Sequence, residues 1–296
     1  HLRREVLESG SARAAEPPIS LHRRILAVDG TFLKAAAAVV WAIRRRGGKT
    51  GARLDFHVDV GTWLPELLVI PEDCQGEAKT ARETITPGAI HVYDRGIFSF
   101  ELIAAHAPNS ADFVMRIREP GPRCPKLETV ETRELTRDAR DAGVTSDRLV
   151  PGRFDHRRPP DRILREVVII PADDPENPVY LLTTLLDVDA SIIGLLYRHR
   201  WQIELFFRWM KSYAHFDHLI SHTREGVLLN FYVAVIGVTL MYLHTNHRPS
   251  KYLLIMMGMV ANGSATLDEI MPILRERERQ ANCGDRVAWK RAEKSR

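Results

Sequence analysis

Tyr197-Arg-His-Arg200-Trp-Gln-Ile-Glu204-Leu-Phe-Phe-Arg208-Trp-Met-Lys211 sets charged and phenolic side chains at steps of 3, 4 and 7, the steps of an α-helix. At about 100° per residue, Tyr197, Arg200, Glu204, Arg208 and Lys211 fall within roughly 40° either side of Glu204. Ile203, Leu205, Phe206, Trp209 and Met210 take the other side. The spacing therefore predicts a helix with an apolar back to bury and a front carrying one carboxylate among cations and a phenol. Such a front suits a phosphate backbone with a metal beneath it. Taken alone, the same helix reads more simply as a solvated amphipathic helix with i,i+4 ion pairs, Arg200 with Glu204 and Glu204 with Arg208. The rest of the chain reverses that weighing.

With 296 residues and 45% hydrophobic side chains, the chain can bury one large core or two modest ones. The net charge is only +4, but 42 Lys and Arg lean towards an acidic partner without establishing nucleic acid. No acid stands between Asp29 and Asp55, whereas Lys34, Arg44, Arg45, Arg46, Lys49 and Arg53 all do; a solvated loop and a phosphate contact fit this stretch equally. Cys74, Cys124 and Cys283 are far apart and form no CxxC pair, which argues against structural zinc and a disulfide framework and fits a reducing compartment. The longest apolar run, Phe231 to Leu243, falls short of the about 20 residues a bilayer requires and reads as a buried helix. No hydrophobic leader opens the chain and His1 is not a natural start, so a fragment or trimmed product is expected.

Residues 1–19 are charged and end near Glu16-Pro-Pro18, as a linker or the remnant of an absent domain would. Short apolar runs closed by turn signals then predict strands at Ile25–Val28, Leu54–Val60 and Leu67–Ile70. A short helix over Glu77–Ile85, a strand over Ile90–Tyr93, a helix over Ser99–His106 and a strand over Asp112–Arg118 follow. From Glu119 to Ala190 prolines, arginines and acids dominate, and two strands, Glu166–Ile170 and Val179–Leu186, mark a mostly β insertion with a flexible region around Pro151–Pro160. Helices are expected over Ile192–Phe216, Gly226–Thr245, Tyr252–Val260 and from Leu267. Thr266-Leu-Asp-Glu269 has the spacing of a capping box.

Asp29 and Asp94 stand in equivalent places, each closing a short apolar strand before a glycine turn. In mixed α/β sheets functional side chains gather at strand ends, although a lone Asp there is more often a turn residue. Two such aspartates joined by Glu204 on a helix front form a rarer set, whose oxygens suit Mg²⁺ or Mn²⁺ and not zinc. Two such ions can serve an in-line phosphoryl displacement.

At this point the chain resembles the DDE transposases of bacterial insertion sequences, in the insertion-sequence-four family related to the transposon-five transposase. The matching residues are Val28-Asp29-Gly30-Thr31, Tyr93-Asp94-Arg95-Gly96, and Tyr197, Arg200, Glu204 and Lys211 in the order Y-x2-R-x3-E-x6-K. The likeness runs from about Leu21 to Thr245, including the stretch Phe216–Leu243, with the β-rich insertion in the longer gap between Asp94 and Glu204. It implies a ribonuclease-H-like mixed sheet with flanking helices, interrupted by the β insertion and followed by a helical C-terminus. The corresponding layout is 1–19 linker or remnant, 20–118 and 191–245 catalytic core, 119–190 insertion, and 246–296 helical tail. The resemblance further implies Asp29, Asp94 and Glu204 as catalytic metal ligands for two Mg²⁺ ions, with Mn²⁺ as substitute. Tyr197, Arg200, Lys211, Arg95 and Arg208 would contact double-stranded DNA, both element ends and target. A homodimer on DNA in the bacterial cytoplasm, away from membranes, is the implied setting.

The departures are also specific. Ile97 stands where the family has an aromatic after Asp-Arg-Gly, residues 119–190 lack the base-stacking tryptophan of some relatives and offer Phe154 or Tyr180, and the family's N-terminal DNA-binding domain is expected to be missing. Two rivals remain: a degenerate copy that binds DNA without cutting, and a ribonuclease-H-like nuclease without strand transfer. His215, His218 and His222 have helical spacing but no HExxH, and read as surface or DNA-backbone residues. Met256, Met257 and Met259 read as core filler. Gly47-Gly48 lacks a P-loop context.

Overall fold

The computed structural model describes residues 23–34, 43–44, 50–61, 64–71, 76–120, 128–151, 162–201, 203–204, 206–207, 223–245 and 251–276. Ten strands form its sheet: β1 Ile25–Lys34, β2 Ile43–Arg44, β3 Thr50–Asp59, β4 Pro65–Val69, β5 Ile90–Tyr93, β6 Asp112–Ile117, β7 Glu131–Thr132, β8 Val144–Pro151, β9 Ile163–Ile169 and β10 Val179–Thr183. Their order is β2-β3-β1-β5-β6-β10-β9-β8-β7, with β4 paired to β3 off this path. β1, β5 and β6 are parallel to one another, and β3 and β4 lie antiparallel beyond β1. The protein is thus mixed α/β, and the five strands expected up to Ile117 are all present.

Every residue of the Ile-His-Val-Tyr strand β5 is buried, because helices cover both faces, as expected for a parallel strand. On one face α1 (Glu77–Glu83) and α2 (Phe100–His106) pack Ala81, Ile85, Leu102 and Ile103 against Val28, Tyr93, Phe113 and Met115. Ser99 caps α2 by accepting from the Leu102 amide at 3.4 Å. On the other face Phe56 of β3 receives the rings of Phe206, Phe207 and Phe231, with centroids 5.7, 5.1 and 4.9 Å away in edge-on contacts.

The β-rich segment does not stand apart. β10, β9, β8 and β7 continue the same sheet antiparallel from β6. β8 was not expected, since Asp147 and Arg148 make its sequence read as solvated loop. Both are buried and matched across the strand pair: Arg165 grips Asp147 at 2.8 and 2.7 Å, and Arg148 meets Glu166 at 2.8 and 2.6 Å. The short helix α3 (Arg137–Asp141) also lies in this segment. Of the expected flexible region around Pro151–Pro160, all but Pro151 lies outside the described residues.

The helix expected over Ile192–Phe216 begins earlier, as α4 (Ala190–His199), capped by Asp189 accepting from the Ser191 amide at 2.9 Å. It is also not continuous. At Arg200 the backbone tightens to i→i−3 bonds, Arg200 N to Tyr197 O and Ile203 N to Arg200 O, both 3.0 Å. Helical residues resume at 201, 203–204 and 206–207, and the remainder of the expected helix lies outside the described residues. α5 (Arg224–Thr245) corrects a second expectation. Among its described side chains only Val227, Phe231 and Thr239 are buried, whereas Leu229, Tyr232, Val233, Ile236 and Leu240 are exposed.

The chain divides into two compact units, His1–Asn246 and His247–Arg296. In the second, α6 (Lys251–Ala261) is followed by Gly263 at φ 76°, a left-handed position that suits glycine. Glu269 then closes on the Thr266 amide at 2.8 Å, half of the expected capping box, at the start of a helix over 267–276. Met256 and Met257 are half-buried, but Met259 is exposed and does not fill a core. No helix among the described residues is long and apolar enough to cross a membrane.

Candidate active site where β5 ends beside β1

β1 and β5 pair from Ile25 with Ile90 to Val28 with Tyr93. β5 then turns into a short 3₁₀ helix, Arg95–Ile97, while β1 continues against β3 as far as Lys34 opposite Gly51. Asp29 and Asp94 are the next residues on the two chains, so they stand side by side where the sheet opens. The expected strand end at Val28 is therefore corrected: Asp29 is inside β1. Gly30 marks a close approach, not a turn. A Cβ there would come 2.7 Å from Asp55 Oδ1, its neighbour across β3, and 3.1 Å from Glu77 Oε1.

α4 and the turn after it bring the third carboxylate. Arg200, only 9% exposed, reaches into the opening with Nη2 2.7 Å from Glu204 Oε1, Nη1 3.7 Å from Asp29 Oδ2 and Nε 4.0 Å from Asp94 Oδ1. Its Nε is buried without a hydrogen-bond partner. The Tyr197 hydroxyl donates to Asp94 Oδ1 at 3.0 Å, and its ring lies 5.8 Å from the guanidinium carbon. Asp29, Asp94, Glu204, Tyr197 and Arg200 are thus brought together. Arg95 lies exposed beside them, and Ile97 is buried with Phe98 packed against the same core.

Burial sets the electrostatics. It pushes the Asp29 carboxyl up to about 6; the Gly30 amide and Arg200 oppose that rise, and the charges of Glu77 and Asp94 add to it. Burial also raises the Tyr197 phenol, reinforced by Asp94, so this hydroxyl is a proton donor at neutral pH. Burial works against the charge on Arg200, but its bond to Glu204 and the nearby Tyr197 and Asp94 outweigh it and raise its pKa.

As placed, no three described His, Cys, Asp or Glu side chains close on a single ion. The three carboxylates instead face the buried Arg200 guanidinium. Their donor set, carboxylate oxygens alone, fits a hard divalent ion.

Several expected residues play other parts. Arg53 is gripped by Asp55 at 3.0 and 3.0 Å and by Thr80 at 3.0 Å, so it is an internal partner and not a phosphate contact. Tyr180 is half-buried and packed against the core. Arg208, Lys211, Phe154, Gly47, Gly48, the three cysteines and His215, His218 and His222 lie outside the described residues. Two residues escaped the sequence reading: Arg116, which with Arg200 offsets part of the rise of the Tyr197 phenol, and Glu77, whose charge adds to the rise at Asp29. Arg116 carried a signal, being the polar position inside the apolar run Phe113–Ile117 of β6.

Comparison with known proteins gives the family. Residues 20–240 match the family described as the transposase DDE domain. A protein of Sinorhizobium fredii with the transposase description y4zB is 27% identical over 222 residues, covering 72% of this chain and 59% of its own length. A Geobacillus stearothermophilus protein described as a transposase for insertion sequence element IS5377 is 22% identical over 196 residues, covering 66% and 50%. The chain therefore spans half to three-fifths of these relatives. Among solved structures, a piggyBac transposase synaptic complex with hairpin DNA is similar at a TM-score of 0.47 and 14% identity, over 84% of this chain and 56% of that one. With the family matched over most of its length and both aspartates, the glutamate and their arginine assembled in one opening, the chain belongs to the transposase DDE domain family.

Proposed function

We propose that the chain is the catalytic domain of a DNA transposase of the insertion-sequence-four group, which hydrolyses a phosphodiester at an element end and joins the freed 3′-hydroxyl to target DNA. The observation that carries this reading is the gathering of Asp29, Asp94 and Glu204 around one buried positive charge at the open end of β1 and β5. Asp29, Asp94 and Glu204 would hold divalent ions, two Mg²⁺ or Mn²⁺. Such ions, when bound, polarise the scissile phosphate and activate the attacking oxygen. Tyr197, donating to Asp94, keeps that carboxylate oriented. Arg200, with Arg95, Arg208 and Lys211, would bind the DNA backbone, positioning it without reading its sequence.

The strand order β4-β3-β1-β5-β6, with β1, β5 and β6 parallel, supports a ribonuclease-H-like core over 20–118 and 191–245. In this reading 119–190 is its β-rich insertion, 246–296 a helical tail and 1–19 a linker. Double-stranded DNA, a homodimer on it and a bacterial cytoplasmic setting complete the reading. The test is Glu204→Gln: cleavage of element-end DNA is abolished while DNA binding is nearly unchanged. Equal cleavage by the mutant would sink the assignment, and hydrolysis without joined products would favour a plain nuclease.

A further inference from the structure

β1, β5 and β6 carry one row of side chains across the active-site opening. Val28, Tyr93 and Met115 are in register on the three strands, and all three side chains lie in the core under α1 and α2. Side chains alternate between the faces of a sheet, so the next row, Asp29, Asp94 and Arg116, points to the other face. Asp94 keeps the alternation although β5 has ended, because its backbone stays extended at φ −81° and ψ 166°. α4 packs over β5 and β6 and brings the Tyr197 hydroxyl to Asp94 Oδ1 at 3.0 Å. Arg116 therefore flanks Asp94 on one side as Asp29 does on the other.

Arg116 is half-buried. It reaches the same hydroxyl that bonds Asp94, acting on it as a charge and as a hydrogen-bond donor. Elsewhere on the sheet arginines are held by carboxylates, Arg53 by Asp55 at 3.0 Å, Arg148 by Glu166 at 2.6 Å and Arg165 by Asp147 at 2.7 Å. Arg116 forms no such pair among the described residues; its neighbour is the phenol. A phenol has one proton to donate and accepts through its oxygen lone pairs. A guanidinium donating to that oxygen leaves the proton for Asp94 and strengthens the bond it makes there.

We infer that Arg116 is a positioning residue of the active site, donating to the Tyr197 hydroxyl oxygen so that the hydroxyl proton stays committed to Asp94. The inference rests on the reading of Asp94 as a catalytic metal ligand. The chain from Arg116 through Tyr197 occupies Asp94 Oδ1 and so fixes the rotation of that carboxylate.

The test has two readouts on the full chain. In EDTA, the ¹⁹F resonance of 3-fluorotyrosine placed at position 197 is compared between wild type, Arg116→Gln, Arg116→Lys, Asp94→Asn and, as control, the exposed Arg118→Gln. The signal should move in Arg116→Gln and Asp94→Asn, stay near wild type in Arg116→Lys and be unchanged in Arg118→Gln. Calorimetry then gives Mn²⁺ affinity in the presence of a short DNA duplex. Arg116→Gln and Tyr197→Phe should each lose about fivefold, the worth of one hydrogen bond, and the double mutant no more than either. Losses that multiply in the double mutant overturn the inference, as does an unmoved fluorine signal in Arg116→Gln. A salt slope of duplex binding that drops by about one in Arg116→Gln, with Mn²⁺ affinity intact, also overturns it by making Arg116 a phosphate contact. Absence of wild-type Mn²⁺ binding, or equal binding by Asp94→Asn, instead refutes the reading of Asp94 and the inference with it. Should Arg116→Gln fail to fold, as judged by metal-free melting, Arg116→Met keeps the length of the side chain and takes its place, with the same outcomes deciding.

Discussion

Replacing Asp29 by Asn should stabilise the metal-free protein while abolishing its response to metal. The Asp29 carboxyl titrates near 6 in the folded protein against 3.8 when unperturbed. Between those values the folded state holds the extra proton, so stability falls as pH rises through this window and stays low above it. At about 1.4 kcal/mol for each pH unit between the two values, the ionised carboxylate costs the folded protein about 3 kcal/mol at most. The side chain is 23% exposed, and solvent screening reduces that ceiling. Asn keeps the acceptor oxygen for the Gly30 amide, now met at 2.8 Å, and removes only the charge. Urea unfolding in EDTA should give nearly equal stabilities at pH 4, with the mutant gaining up to about 3 kcal/mol by pH 7.5. Adding Mn²⁺ at pH 7.5 should reverse the order, because only the wild type gains binding free energy. A mutant less stable than wild type at pH 7.5 in EDTA, by as much as at pH 4, would refute the argument that burial and neighbouring carboxylates outweigh Arg200 at this position.

The same proton competes with metal, so Mn²⁺ affinity should fall as pH drops below about 6 and be flat above 7; calorimetry across pH 5–8 checks this, and a flat profile throughout would count against Asp29 as a ligand. Arg165→Ala strands the buried Asp147 without its guanidinium and should cost about 3–5 kcal/mol in denaturant unfolding. Replacing both residues by leucines should recover much of that loss. Gly30→Ala puts a methyl against Asp55 and Glu77; Asp55 is pinned by Arg53, so about 1–3 kcal/mol of stability should be lost. Arg200→Ala should destabilise the metal-free protein but tighten Mn²⁺ binding, and should lower the salt dependence of DNA binding by about one phosphate contact.

Much of the fold was legible because its core strands are short, apolar and closed by turn signals: Ile90–Tyr93 and Asp112–Ile117 are found where the pattern puts them. The pattern failed where charge is buried in pairs. β9 was expected from Glu166 onward, but β8 was not: its Asp147 and Arg148 look solvated until their cross-strand partners Arg165 and Glu166 are known, and partners from distant segments have no local signature. It failed in a second way at Asp29-Gly30, where a dipeptide that ordinarily signals a turn is held in a strand by β3. At the site, helical spacing put Tyr197, Arg200 and Glu204 on one front, and the structure brings those three to Asp29 and Asp94. Spacing could not show that Arg200 turns inward. Glu77 was invisible for a similar reason, as a first-turn glutamate on a short helix has an ordinary capping role.

Arg200 links the two halves of the proposed chemistry. A phosphate and three carboxylates cannot share one guanidinium at hydrogen-bond distance, and in the metal-free protein the carboxylates hold it, at 2.7, 3.7 and 4.0 Å. A divalent ion supplies twice its charge to the same oxygens and removes the reason for Arg200 to remain. The released side chain would leave its burial, which works against its charge, and meet a DNA phosphate as a forked donor. Metal and DNA should then bind with positive coupling, each favouring the state in which Arg200 points outward. The coupling should vanish in Arg200→Ala even though both ligands still bind, because without that side chain neither ligand has anything to displace for the other.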